Sequence, residues 1–177
     1  MISLRRTLTW PKRRWRAGGF GIHSPFAFTL VTEVLAGKIS HSRLDPVRAA
    51  AGNRIRQMAL LYRCVRHFNP ATVAVYPSDD KTIIDTVRLA CPEVEIAGDD
   101  CPTPPDMTIV GSPEAAPAHD NGSLVHIIAH IEKEPAKSLW KRLNDGCTRG
   151  MDFSDRRTGI ICRFSHLPRQ SFRIVFK

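Results

Sequence analysis

Behind its first twenty residues the chain settles into a helical rhythm of apolar positions. Phe26, Leu30 and Val34 recur every fourth place, with Ala27, Val31 and Leu35 beside them, so one face of this stretch is apolar. Ser24 stands where an N-cap belongs. Pro25 takes the first helical position, where a missing N–H costs nothing. Gly37 is placed to close the helix. A second stripe, Val47, Ala51, Ile55, Met58, Tyr62 and Val65 with Leu61 at its edge, predicts one continuous helix from Asp45-Pro46 to about Phe68. Arg48, Arg56, Arg63 and Arg66 gather on one flank of that helix, within roughly a quarter-turn.

From Asn69-Pro70 the period shortens. TVAVY, residues 72–76, is a β-branched run ended by Pro77-Ser78, and Ser78 or Asp79 can cap a helix carrying Ile83, Ile84, Val87 and Ala90 that Pro92 stops. Residues 94–97, 106–110 and 124–131 read as further strands, and a helix around residues 136–143 follows. The tail reads as strands at 151–154, 159–164 and 171–176 with short connections. Strands alternating with helices predict an α/β domain whose parallel sheet is covered on both faces, with antiparallel strands at its C-terminal edge. The organisation expected is a single domain in three parts. Residues 1–22 form a basic arm, 23–69 a helical segment and 70–177 the α/β core.

Charge divides the chain along similar lines. Residues 1–70 carry thirteen Lys or Arg against two acids, residues 71–135 three against twelve, and residues 136–177 ten against three. The net values are +11, −9 and +7, within a total of +9. Such a chain is either self-complementary once folded or offers a basic face to an acidic partner. The arm, MISLRRTLTWPKRRWRAGGFGI, sets Trp10 and Trp15 among six basic residues, Arg13 and Arg14 included. Basic side chains interleaved with indoles suit phosphates and bases, or a membrane surface. No apolar run approaches the roughly 20 residues that span a bilayer, and no apolar stretch follows the basic start as in a secretory signal. Five cysteines without a C-x-x-C pair point to reduced thiols in a cytoplasmic protein.

Candidate chemistry is thin. Ligands of an open α/β sheet bind outside the carboxyl ends of its strands, and the first strand-to-helix turn here is Tyr76-Pro77-Ser78-Asp79-Asp80-Lys81. It lacks the glycines that let backbone approach a nucleotide, and its two aspartates compete for the positive end of the helix. His126 and His130 have the i, i+4 spacing of a zinc helix but lie in a predicted strand, without the Glu of H-E-x-x-H or further ligands nearby. No metal site and no catalytic residue are assigned. His23 reads as a turn residue.

Three stretches nevertheless resemble one family. GFGIHSPFAFTLVTEVL is similar to the "HGIHSPF" helix of a group of bacterial class I S-adenosylmethionine-dependent methyltransferase-like proteins. NPATVAVYPSDD sits where that group has its first strand and glycine-rich cofactor loop, and MDFSDRRTGIICRFSHLPRQSFRIVF resembles its closing strands. The resemblance implies a Rossmann-like methyltransferase-type sheet preceded by two N-terminal helices. It also implies a cofactor pocket around Tyr76, Ser78, Asp79, Ala97 and Asp99. The departures fall in that pocket. The acid of the family's first strand aligns with Val75, its first loop glycine with Pro77, and the ribose-binding acid near Ala97, with Asp99 and Asp100 displaced beyond it. A later Asp-Asp pair falls on Ile128-Ala129. Residues 100–106 leave no room for the family's next strand and helix, so a pared-down sheet is expected. The expectation is a degenerate member without a cofactor that acts through interactions. The alternatives are an active enzyme with S-adenosylmethionine in a rebuilt pocket, and a basic module binding nucleic acid, or an acidic protein, through Arg13, Arg14, Arg48, Arg56, Arg63 and Arg66.

Overall fold

The computed structural model describes residues 18–98 and 103–176. Helix α1 (Pro25–Thr29) starts as its sequence predicts. The Ser24 hydroxyl accepts from the Ala27 N–H at 3.3 Å, and Pro25 occupies the first turn. It runs on as a π-helical turn over Leu30–Leu35, which buries Leu30, Val31, Val34 and Leu35. The long helix expected over residues 45–68 is broken in two. Helix α2 (Asp45–Ala51) and helix α3 (Ile55–Phe68) flank a short 3-10 turn at Gly52–Arg54. Gly52 has φ +50°, which a glycine adopts without strain. The apolar stripe is continuous across the break, so periodicity alone hides it. Asn69 closes α3 in the left-handed conformation.

Strand β1 (Thr72–Tyr76) leads through helix α4 (Lys81–Ala90) to β2 (Glu95–Ala97). Then come β3 (Met107–Val110), β4 (Val125–Ile128), helix α5 (Ala136–Asp145), and β5 (Met151–Ser154), β6 (Gly159–Cys162) and β7 (Gln170–Arg173). The seven strands form one sheet in the order β2-β1-β3-β4-β6-β5-β7. All pairings are parallel except those of β6, which runs antiparallel between β4 and β5. The antiparallel element expected at the C-terminal side is therefore a single inserted strand, and β7 returns to the parallel direction at the edge. A doubly wound sheet is ordered 3-2-1-4-5-6. The run β2-β1-β3-β4 follows the 2-1-4-5 part of that order, so the fold is Rossmann-like.

The two faces of the sheet are covered unequally. Val73, Val75, Met107, Ile109, Val125, Ile127, Met151, Phe153, Ile160 and Cys162 alternate onto one face and form a single core with helices α1 to α4. The opposite face carries a smaller cluster, in which Leu139 and Leu143 of α5 pack on Val110, Ile128 and Ile161. Trp140 lies against the backbone of Gly159, where a Cβ would stand 2.3 Å from the indole ring. Helix α5 reaches β4 and β6 but leaves the same face of β5 and β7 uncovered by any helix among the described residues. No helix among them is long and apolar enough to cross a membrane.

Candidate functional site

The carboxyl ends of β1 and β3 meet where the strand order reverses, the usual crevice of such a sheet. Here the crevice is stitched together by the protein itself. The Gly111 N–H donates to the Tyr76 carbonyl at 2.7 Å, and Gln57 Nε2 reaches the Gly111 carbonyl at 3.4 Å. Asp80, not Ser78 or Asp79, caps α4, its Oδ1 accepting from the Ile83 N–H at 3.2 Å. The same carboxylate receives a two-pronged contact from Arg54, Nη1 to Oδ2 at 2.6 Å and Nη2 to Oδ1 at 3.2 Å. Burial opposes ionisation of Asp80, but the Arg54 and Ile83 donors outweigh it and hold its pKa below the usual carboxylate range. The positive end of α4, where a nucleotide phosphate would bind, is thus taken by an internal ion pair.

Of the residues expected to line a cofactor pocket, Tyr76 is half-buried at the end of β1 and precedes a cis peptide bond to Pro77. Ala97 ends β2, beside β1 in register with Ala74. Ser78 and Asp79 are exposed on the turn. Asp99 lies outside the described residues. The strand register brings Tyr76 and Ala97 to the same edge of the sheet. The residue that decides the chemistry of the turn, Asp80, carried no distinguishing signal in sequence, because its partner Arg54 lies 26 positions upstream.

The basic flank is less uniform than its periodicity suggests. Arg48 pairs with Asp45 at 3.1 Å, and Arg63 Nε donates to the Val34 carbonyl at 2.6 Å, tying α3 to the π-helical turn. Arg63 is a structural strut. Arg56 and Arg66 are exposed. Arg13 and Arg14 lie outside the described residues.

His126 and His130 do not act together. His126 is on β4, 2% exposed, whereas His130 lies beyond the strand with φ +56° and contacts Glu132 at 3.5 Å. Among the described residues no group of three His, Cys, Asp or Glu side chains converges as metal ligands would. The nearest carboxylate to His126 Nε2 is Asp120 Oδ1 at 3.5 Å, yet Nε2 makes no hydrogen bond. Asp120 is itself held by Arg163. Burial first, and then the Arg163 charge, push the His126 pKa down to about 4, so the ring is neutral at ordinary pH. A cavity of about 420 Å³ opens beside Asp120, Arg142 and Arg163.

A concavity of about 880 Å³ lies on the uncovered sheet face between α5 and the edge strand β7. Its floor comes from Asp152 and Ser154 of β5 and Ser171 and Arg173 of β7. Asp152 is 5% exposed and satisfied from two sides, by Arg169 Nη1 at 2.6 Å and the Ser171 hydroxyl at 2.5 Å. Arg169 Nη2 also donates to Asn144 of α5 at 2.9 Å, which fixes the guanidinium between helix and sheet. Sequence reading missed this groove, though a signal was present. In MDFS and SFRI the polar residues alternate with apolar ones, which marks a polar sheet face.

No family model, curated protein or solved structure matches this chain.

Proposed function

We propose that this is a methyltransferase-like domain that has lost the usual S-adenosylmethionine site and works as a non-catalytic interaction domain. The observation that carries the reading is the closed switch point. Arg54 bonds to Asp80, and Gln57 and Tyr76 both bond to Gly111, where a cofactor's ribose and carboxylate would need to be received. A cofactor entering there would first have to break a two-pronged ion pair whose carboxylate is only 12% exposed. It would then find no acid at Val75 and no glycine at Pro77. The β2-β1-β3-β4 strand order and the Ser24-capped helix that follows the glycine turn support the family resemblance on which this reading leans.

Titration calorimetry with S-adenosylmethionine and S-adenosylhomocysteine tests it. The expected result is no saturable heat up to millimolar ligand. Micromolar binding of either compound overturns the reading and favours an enzyme with a rebuilt pocket.

A further inference from the structure

The groove between α5 and β7 has a composition that small-molecule pockets do not. Such pockets are lined mainly by apolar and aromatic side chains. Here Ile131 and Trp140 are the sole apolar residues among fourteen that line it, and the rest are charged, hydroxyl or amide groups. Its cations come from three separate elements: Lys137 and Lys141 from α5, Arg156 from the β5–β6 turn, and Arg169 and Arg173 from the β7 region. Two are neutralised locally, Lys137 by Glu134 and Arg169 by the buried Asp152. Lys141, Arg156 and Arg173 face the groove against one further acid, Asp145, so the trough is net positive. It also opens at the carboxyl ends of β5 and β7, the edge at which α/β sheets receive ligands.

We infer that this groove binds single-stranded nucleic acid, with Lys141, Arg156 and Arg173 contacting phosphates and Trp140 offering a surface for a base. Arginine forks receive phosphates and carboxylates alike. The indole among the cations favours a nucleic acid over an acidic peptide, because every base offers a face that stacks on it and acidic side chains offer none. The inference deepens the interaction reading by naming its partner. It is independent of the cofactor result, since the groove and the closed switch point share no residue.

The test is fluorescence anisotropy of a labelled 12-nucleotide oligouridylate with the full chain, at 50 and 200 mM salt. Three phosphate contacts on a single strand predict a roughly 20-fold loss of affinity over that range. The double charge reversal Lys141→Glu/Arg173→Glu changes two groove residues whose side chains make no hydrogen bond or ion pair among the described residues. It is expected to weaken binding at least tenfold, with the circular dichroism melt unchanged. The reversal Arg56→Glu/Arg66→Glu, on the helical segment, is expected to leave binding within twofold. Absence of binding below 100 µM at 50 mM salt overturns the inference. So does binding that is lost with Arg56/Arg66, or with Arg13→Ala/Arg14→Ala, while the groove variant binds normally. A polyglutamate peptide that binds the groove where the oligonucleotide does not overturns it too, in favour of an acidic protein. None of these outcomes bears on the calorimetric titration with S-adenosylmethionine.

Discussion

Replacing His126 by Gln isolates one buried titration. The wild-type imidazole is 2% exposed, its Nε2 makes no hydrogen bond, and the neighbouring Arg163 disfavours a second positive charge. The folded-state pKa of about 4 lies below the usual histidine value of 6.5. The sign follows from proton counts. Above pH 6.5 neither state binds a proton at this ring, so it contributes no pH dependence. Below 6.5 the unfolded chain takes up a proton that the folded chain refuses until about pH 4, and stability falls as pH falls through that window. Between pH 7.5 and 5 the loss from this ring is on the order of 2 kcal/mol. Asp120 does not cancel it, because a depressed carboxylate pKa acts only below its own unfolded value. His67, also depressed chiefly by burial, acts with the same sign in both proteins and drops out of the difference. Urea unfolding of wild type and His126→Gln at pH 7.5, 6 and 5 reads this difference directly. The variant is expected to lose about 2 kcal/mol less than wild type over the range. A difference below about 0.5 kcal/mol at pH 5 refutes the argument, as does an NMR titration in which the His126 ring of the folded wild type is half-protonated near pH 6.5.

Asp80→Ala removes the α4 cap and strands Arg54, and is expected to lower the unfolding free energy by about 2 kcal/mol without creating affinity for S-adenosylmethionine. An unchanged urea midpoint would contradict the assignment of Asp80 as the cap. Gly159→Ala drives a methyl group into the Trp140 ring and should cost roughly 1–3 kcal/mol, partly recovered in the double variant with Trp140→Leu. Equal and additive losses would show that the two residues do not touch. Burial raises the Cys64 thiol to about 12 and pushes Cys162 up as well, so neither should react with iodoacetamide at pH 8 until the protein unfolds. Mass spectrometry that finds either alkylated within minutes in the native state would place it outside the core.

What the sequence made visible follows from the range of the forces involved. The Ser24 cap, the start of α1, the strand over residues 72–76 and the end of α4 before Pro92 are decided within a few residues, and the structure has each where local chemistry puts it. The break at Gly52 escaped because a single glycine is tolerated inside a helix and the apolar stripe continues past it. Coverage by helices on both faces was expected from the alternation of strands and helices, but among the described residues no helix stands between β2 and β3 or between β3 and β4. One face consequently depends on α5 alone. Choosing between adjacent carboxylates at residues 79 and 80 needed Arg54, and the state of His126 needed Asp120 and Arg163, which reach it from a loop and from beyond β6. Those are tertiary decisions, and a linear pattern does not contain them.

The charge pattern posed two alternatives, self-complementarity or a basic face for a partner, and three ion pairs show the first at work. Acids of the central segment meet both basic segments: Asp80 takes Arg54 from the first, and Asp120 takes Arg163 from the last. Asp152 takes Arg169 within the last segment. These pairs are half-buried or better on the acidic side in two of three cases, so they consume charge that could otherwise serve a partner. The cations left facing the groove on α5, the β5–β6 turn and β7 are therefore a remainder, selected by the fold and not by composition. If that remainder were an accident of a basic chain, neutralising it should cost nothing but solubility. If it is a site, Lys141 and Arg173 should matter to binding while Arg56 and Arg66, equally basic and equally exposed, should not. The contrast between the two pairs carries the argument, because it holds net charge constant and changes the place alone.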